Sequence, residues 1–282
     1  MTIFDYRFKD TVVHRLSGLS KLLCFLLLTS AVMYTYDIRF FAAVLVFSFT
    51  VLRLAKIKIR ELKLIFIYVG IFLIINQVLS FIFAPNHGTR IYESYTLWFR
   101  IYGRYNVTYQ QAFYQLSKLF KYSSVIPLGI IFLYTTDPSE FASSLNAIFV
   151  PYKVAFAVSL TLRYFPDIQK VYHDISKSQQ ARGLNISKKT SFWHRFKNAV
   201  ATMVPLIFSS LGRIDVITNA MQLRGFAKHR TRTWYSRRKA QKSDYIALAI
   251  CFGMAAAAIC VAIFVNHGRF YNPFITVRPI SP

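Results

Sequence analysis

Acidic side chains are scarce: 11 Asp+Glu stand against 35 Lys+Arg in 282 residues, a formal net charge of +24. Carboxylates are nearly missing from the apolar runs, which argues against the intramembrane acid chains that proton relays and ion-coupled sites require. A glycine-rich loop ending in Lys-Ser/Thr is absent, so the chain has no visible means of binding ATP by that route. His-Glu-x-x-His and Gly-x-Ser-x-Gly are absent too, and nothing resembles the constellation of an integral membrane enzyme. Cysteine is limited to Cys24, Cys251 and Cys260, all within apolar stretches and without a Cys-x-x-Cys pair, so no disulfide framework or thiolate metal site is expected. The six histidines (14, 87, 173, 194, 229, 267) are scattered and form no metal-spaced pair.

What is present is apolar. Hydrophobic residues make up 55% of the chain and charged residues 16%, against roughly 25% charged in soluble domains. Mean hydropathy is +0.37. Runs near bilayer-crossing length recur at 18–36, 38–54, 64–84, 112–134 and 244–265. The expected fold is an all-α, polytopic membrane protein with about five transmembrane helices plus a cytosolic-side region of long amphipathic helices. The first run, Leu22 to Met33, lacks a small-residue cleavage site and reads as a retained span.

The excess of positive charge would point to nucleic acid in a soluble chain, but in a membrane chain it follows from the positive-inside rule. No nucleic-acid partner is therefore expected, and the lipid bilayer is. Arg53, Lys56, Lys58, Arg60 and Lys63 mark a cytosolic loop after the second span and place the N-terminus in the cytosol as well. The segment 85–111 should then lie outside, its Tyr92, Tyr95, Trp98, Phe99, Tyr102, Tyr105 and Tyr109 forming an interfacial belt with a hairpin through Tyr102-Gly103-Arg104. The tail from Asn266 should be external too, and Gly253 with Ala255 to Ala258 reads either as a face for close helix packing or as plain apolar filler of the last span.

Three regions follow: 1–134, a four-helix transmembrane region; 135–242, basic and amphipathic; and 243–282, a final span with its tail. In the middle region Asp137-Pro138-Ser139-Glu140 starts a helix whose apolar stripe is Phe141, Leu145, Ile148 and Phe149. A second helical stretch covers 152–165, Pro166 is expected to kink or restart it, and the apolar spacing continues at Ile168, Val171, Tyr172 and Ile175. A third, over 198–224, should bury Val200, Val204, Ile207, Leu211 and Ile214. The stretches 152–165 and 198–212 are also apolar enough to form a further spanning or re-entrant pair. From 163 to 242, 17 Lys+Arg face three acidic residues.

The second and third helices end alike, in Ala181-Arg182-Gly183 and Leu223-Arg224-Gly225. Arginine in a last turn favours the helix dipole, and glycine at the following position closes a helix in the left-handed conformation. Two copies at the ends of two long helices point beyond capping, to guanidinium groups that insert into grooves on a partner.

With these endings the chain resembles the transmembrane T component of energy-coupling-factor transporters, ATP-driven importers of micronutrients. Arg15-Leu16-Ser17-Gly18-Leu19-Ser20-Lys21-Leu22 is similar to the family's early Arg-Leu-x-Pro-x-x-Lys-Leu signature, without its proline. Thr135-Thr136-Asp137-Pro138 and Arg163-Tyr164-Phe165-Pro166 resemble later elements, and Leu223 departs from the small residue usual in the second Arg-Gly motif. The resemblance implies a non-catalytic coupling subunit of the cell membrane. It implies two cytosolic ABC-type ATPase subunits as partners, which would bind the ATP, and a membrane-embedded substrate-binding subunit for a vitamin or metal ion. This chain would carry no cofactor. Ala181, Arg182, Gly183, Leu223, Arg224 and Gly225 would be its ATPase contacts. A rival reading is a membrane-anchored interaction protein whose basic segment binds anionic lipid or nucleic acid.

Overall fold

The computed structural model describes residues 10–57, 59–102, 105–184, 192–226, 228, 233–235, 238–266, 268 and 270–274. The elements in chain order are α1 (Val12–Arg15), α2 (Gly18–Tyr34), α3 (Ile38–Leu54), α4 (Ile59–Phe83), α5 (His87–Tyr92), β1 (Leu97–Tyr102), β2 (Tyr105–Thr108), α6 (Tyr109–Thr135), α7 (Pro138–Ala147), α8 (Tyr152–Ala181), α9 (Phe192–Leu223) and α10 (Lys242–Cys260). A π-helical turn, Val261–Val265, extends α10. Among the described residues the fold is all-α apart from the β1–β2 hairpin, and the chain divides into two compact units, 1–136 with 238–282, and 137–237.

In the first unit α3 packs on α6, and α10 on α2. Leu28, Val32, Phe41, Val44, Leu128 and Cys251 form one buried cluster; Val13, Leu52, Ala55, Ile57, Leu62 and Ile130 form another. Ala255 and Ala258 are buried, so the small-residue side of α10 does serve packing, whereas a side chain at Gly253 would meet open space. α4 leaves Ile67, Ile71, Ile74 and Phe83 exposed, the surface a bilayer would cover.

Four helical stretches among the described residues are long and apolar enough to cross a membrane: Leu62–Phe83, Tyr109–Thr135, Phe196–Leu223 and Lys242–Val265. The apolar α2, at 17 residues, is shorter than the roughly 20 residues of a full crossing, and α3 has the same length. α9 therefore has the length and composition of a span as well as those of an amphipathic helix, the ambiguity already present in 198–212.

Three buried charges hold the first unit together, each placed where helix ends leave backbone groups without partners. Lys21 Nζ donates to Thr135 O at the end of α6 (2.6 Å) and to His14 O (3.3 Å). Lys121, in mid-α6, donates to Met33 O (2.8 Å) and Thr35 O (3.4 Å) at the end of α2, with its ammonium 3.5 Å from the centre of the Tyr36 ring. Each helix of the pair thus supplies a cation to the negative end of the other's dipole. Asp244 does the reverse at helix starts. Its Oδ1 accepts from Ser17 N–H and its Oδ2 from Gln241 N–H, both at 2.7 Å, so one carboxylate caps α2 and α10.

At the far end of α6, Gln110 and Gln111 pin two loops. Gln110 Oε1 accepts from Thr96 N–H (3.1 Å) and its amide donates to Ser94 Oγ (3.1 Å), while Gln111 Oε1 accepts from Gly88 N–H (2.7 Å). β1 and β2 pair antiparallel from Leu97 opposite Thr108 to Tyr102 opposite Tyr105, so the expected hairpin forms; its turn, 103–104, lies outside the described residues. Tyr92 is not part of an exposed belt. It ends the unforeseen helix α5, is 3% exposed, and packs edge-on against Phe113 and Phe274. The chain after α10 folds back here: Phe270 stacks on Tyr36, Asn266 Nδ2 donates to Asp37 Oδ2 (3.1 Å), and Arg39 donates to the Tyr271 hydroxyl.

Candidate functional site

Among the described residues the second unit has three helices, each closed in the same way. Asp137 caps α7 by accepting from Ser139 N–H at 2.7 Å, with Pro138 in the first turn, as the sequence predicts. α8 continues as one helix through Pro166, and α9 through Pro205. An open hollow of about 390 Å³ lined by Tyr164, Ser209, Gly212, Arg213, Val216 and Ile217 marks where the two meet.

The six predicted site residues form two turns of matching geometry. At the end of α8, Gly183 has φ +89°, its N–H donates to Gln180 O (3.0 Å), and Leu184 N–H donates to Gln179 O (3.0 Å). At the end of α9, Gly225 has φ +64°, its N–H donates to Gln222 O (2.9 Å), and Phe226 N–H donates to Met221 O (2.9 Å). Both are paired capping turns of the Schellman type, which satisfy the last carbonyls of a helix. A side-chain carbon added at either glycine would meet nothing within 4 Å. Glycine is needed there for its conformation and not for space. Ala181, Arg182, Gly183 and Arg224 are exposed, Leu223 is 90% exposed, and Gly225 is half-buried.

The two turns are not brought together. Phe226 packs on Phe156 (ring centres 4.7 Å apart) and Tyr152 (6.0 Å), at the start of α8, whereas Arg182 follows its end. At 1.5 Å rise per residue, the stretch of α8 between them is about 40 Å long. Trp234 completes this aromatic cluster against Tyr152 and Phe156, and its indole N–H donates to Asn146 Oδ1 (3.1 Å).

Two expectations are overturned. Val200, Val204, Ile207, Leu211 and Ile214 on α9 are 45–56% exposed, because periodicity identifies an apolar face but not what covers it. Phe149 is not on the apolar side of α7. It is 99% exposed and closes that helix with φ +71°, occupying the position that glycine holds in the other two turns. Val150 N–H donates to Leu145 O (3.2 Å), the same long capping bond. For a bulky residue this conformation costs roughly 1–2 kcal/mol. Nothing in the residue pattern announces it beyond the absence of glycine before Pro151.

No group of three or more His, Cys, Asp or Glu side chains suited to a metal ion occurs among the described residues. The family model described as cobalt transport protein (CbiQ) matches residues 9–235. The chain is 26% identical over 258 residues to the energy-coupling factor transporter transmembrane protein EcfT of Bacillus selenitireducens, covering 89% of this chain and 92% of that protein. With the protein of that name from Macrococcus caseolyticus the identity is 24% over 238 residues (80% and 84% covered). With that from Thermotoga maritima it is 23% over 276 residues (93% and 92% covered).

Proposed function

The chain belongs to the CbiQ family, as a transmembrane T component of energy-coupling factor transporters, and from that premise we propose how it works. It takes up movement generated by two cytosolic ABC-type ATPase subunits and passes it to a membrane-embedded subunit that binds a micronutrient, a vitamin or a metal ion. Residues 135–242 are the coupling region between the transmembrane parts 1–134 and 243–282. That region and the N-terminus face the cytosol, and the protein is a multi-pass component of the cell membrane. ATP binds to the partners and this chain needs no cofactor.

The observation that carries the reading is the pair of like turns, each presenting an exposed arginine, about 40 Å apart along α8. That separation suits two receiving grooves, one on each ATPase, better than one shared pocket. A guanidinium held by a rigid turn can form paired hydrogen bonds to carboxylates or carbonyls in such a groove. When ATP closes the ATPase pair, the two grooves approach and α8 shifts against α9. The apolar faces of 141–165 and 198–217 then carry the shift to the substrate-binding subunit; the exposed stripe from Val200 to Ile214 is consistent with a surface awaiting such a cover.

The test is charge reversal. Arg182→Glu and Arg224→Glu should each lose ATPase copurification in mild detergent and ATP-driven uptake in liposomes, with helicity and membrane insertion retained. Normal copurification and uptake in both variants would refute the proposal. Partner binding set by total charge and salt, indifferent to these two positions, would favour the membrane-anchored interaction protein instead.

A further inference from the structure

Phe149 combines features that a folding role alone leaves unexplained. It sits in the left-handed region at φ +71°, it is 99% exposed, and α7 would close more easily with glycine at the same place. Its loop is fastened from two sides. Asn146 Nδ2 donates to Val150 O (2.9 Å), and Trp234 Nε1 donates to Asn146 Oδ1 (3.1 Å).

The fastening also links the loop to the second arginine turn. Trp234 packs on Tyr152 and Phe156, and both pack on Phe226, the residue whose N–H completes the turn of Arg224 and Gly225. One aromatic cluster therefore holds Phe149, Leu223 and Arg224 in a single rigid piece. Two side chains carried by the linked loops, Phe149 at 99% and Leu223 at 90%, are almost fully exposed.

We infer that Phe149 and Leu223 flank Arg224 as apolar contacts of one docking face, which enters an apolar socket edged by carboxylates on the ATPase subunit. The inference rests on the reading that Arg224 docks there, and it adds the contacts that would position the arginine. A protein socket fits better than the bilayer. A fluid membrane accepts an aromatic ring in many orientations and gains nothing from a strained backbone, whereas a socket requires the ring in one place. Leu223, in place of a small residue, then belongs to the contact and does not impair it.

The experiment compares Phe149→Gly with Arg224→Glu in the full transporter complex. Phe149→Gly removes the ring and the strain together, so thermal stability of this chain should stay equal or rise while ATPase copurification falls roughly tenfold. Phe149→Asn, which also tolerates the left-handed conformation, should behave likewise, and Phe149→Trp should retain binding. If Arg224→Glu loses the ATPase and both Phe149→Gly and Phe149→Asn bind it normally, this inference fails and the coupling reading stands. If none of the three loses it, Arg224 does not dock, and both this inference and the Arg224 half of the coupling reading fail. Quenching of Phe149→Trp by brominated lipid in liposomes, beyond that of the unsubstituted protein, would place the ring in the bilayer and overturn the inference.

Discussion

Alanine at Gly183 or Gly225 separates the shape of the arginine turns from their charge. Neither glycine has a neighbour that a methyl group would touch, so the substitution acts only through φ, at +89° and +64°. An L-residue in this region costs roughly 1–2 kcal/mol. Opening the turn relieves that cost but gives up two capping hydrogen bonds, each worth about 0.5–1.5 kcal/mol. The two sums are comparable, so the closed turn changes from the dominant state to one of several, a population shift of roughly five- to thirtyfold. Hydrogen exchange should report it directly, with the N–H groups of Leu184 or Phe226 losing protection while the bodies of α8 and α9 keep theirs. ATP-driven uptake by the reconstituted complex should fall by a similar factor, although both arginines remain. Gly→Asn at the same positions should retain most activity, since asparagine tolerates the left-handed region. If the alanine variants expose those amides and uptake stays normal, the turns are plain helix stops and rigid presentation of the arginines is not how the chain couples.

Asp244→Ala leaves Ser17 N–H and Gln241 N–H without acceptors and should lower stability by about 2–5 kcal/mol, while Asp244→Asn, which keeps one acceptor oxygen, should lose about 1–3 kcal/mol; thermal unfolding in detergent ranks them. Burial pushes the Tyr92 phenol up to about 12. An acid whose folded pKa is raised contributes stability that is whole below its unfolded value near 10 and is lost as pH climbs through 12. Tyr92→Phe should therefore flatten the alkaline loss of stability in that window, and an unchanged profile would assign the loss to other groups.

Hydropathy, charge and turn residues are enough to read the helical, polytopic class and the hairpin, because these follow from local composition and period, whereas composition leaves open whether the small residues of α10 pack or merely fill. The Arg-Gly turns were legible for the same reason: a glycine after a long amphipathic run has few other uses. What stayed hidden depends on partners distant in the chain. Lys21 and Lys121 look like ordinary cations until the helix ends they meet are known, and Asp244 lies 227 residues from Ser17. The apolar stripe of α9 was located correctly but expected to be covered, since periodicity does not distinguish a core from a surface that lipid or another subunit will occupy. Spacing assigns Phe149 to a face of α7, and only the backbone angle shows that it stands apart from that face.

The carboxylate at position 244 also sets a clock on biogenesis. α2 emerges from the ribosome early, yet the acceptor for Ser17 N–H is made 227 residues later, roughly 10–45 s at ordinary synthesis rates. During that interval Ser17 N–H lacks its carboxylate, and the start of α2 is capped only locally, by Ser17 Oγ accepting from Ser20 N–H. Arrival of α10 supplies the missing acceptor and ties α10 to α2 in one step. A product truncated before α10 would keep that N–H unpaired, a mark by which quality control could tell an unfinished copy from a complete one.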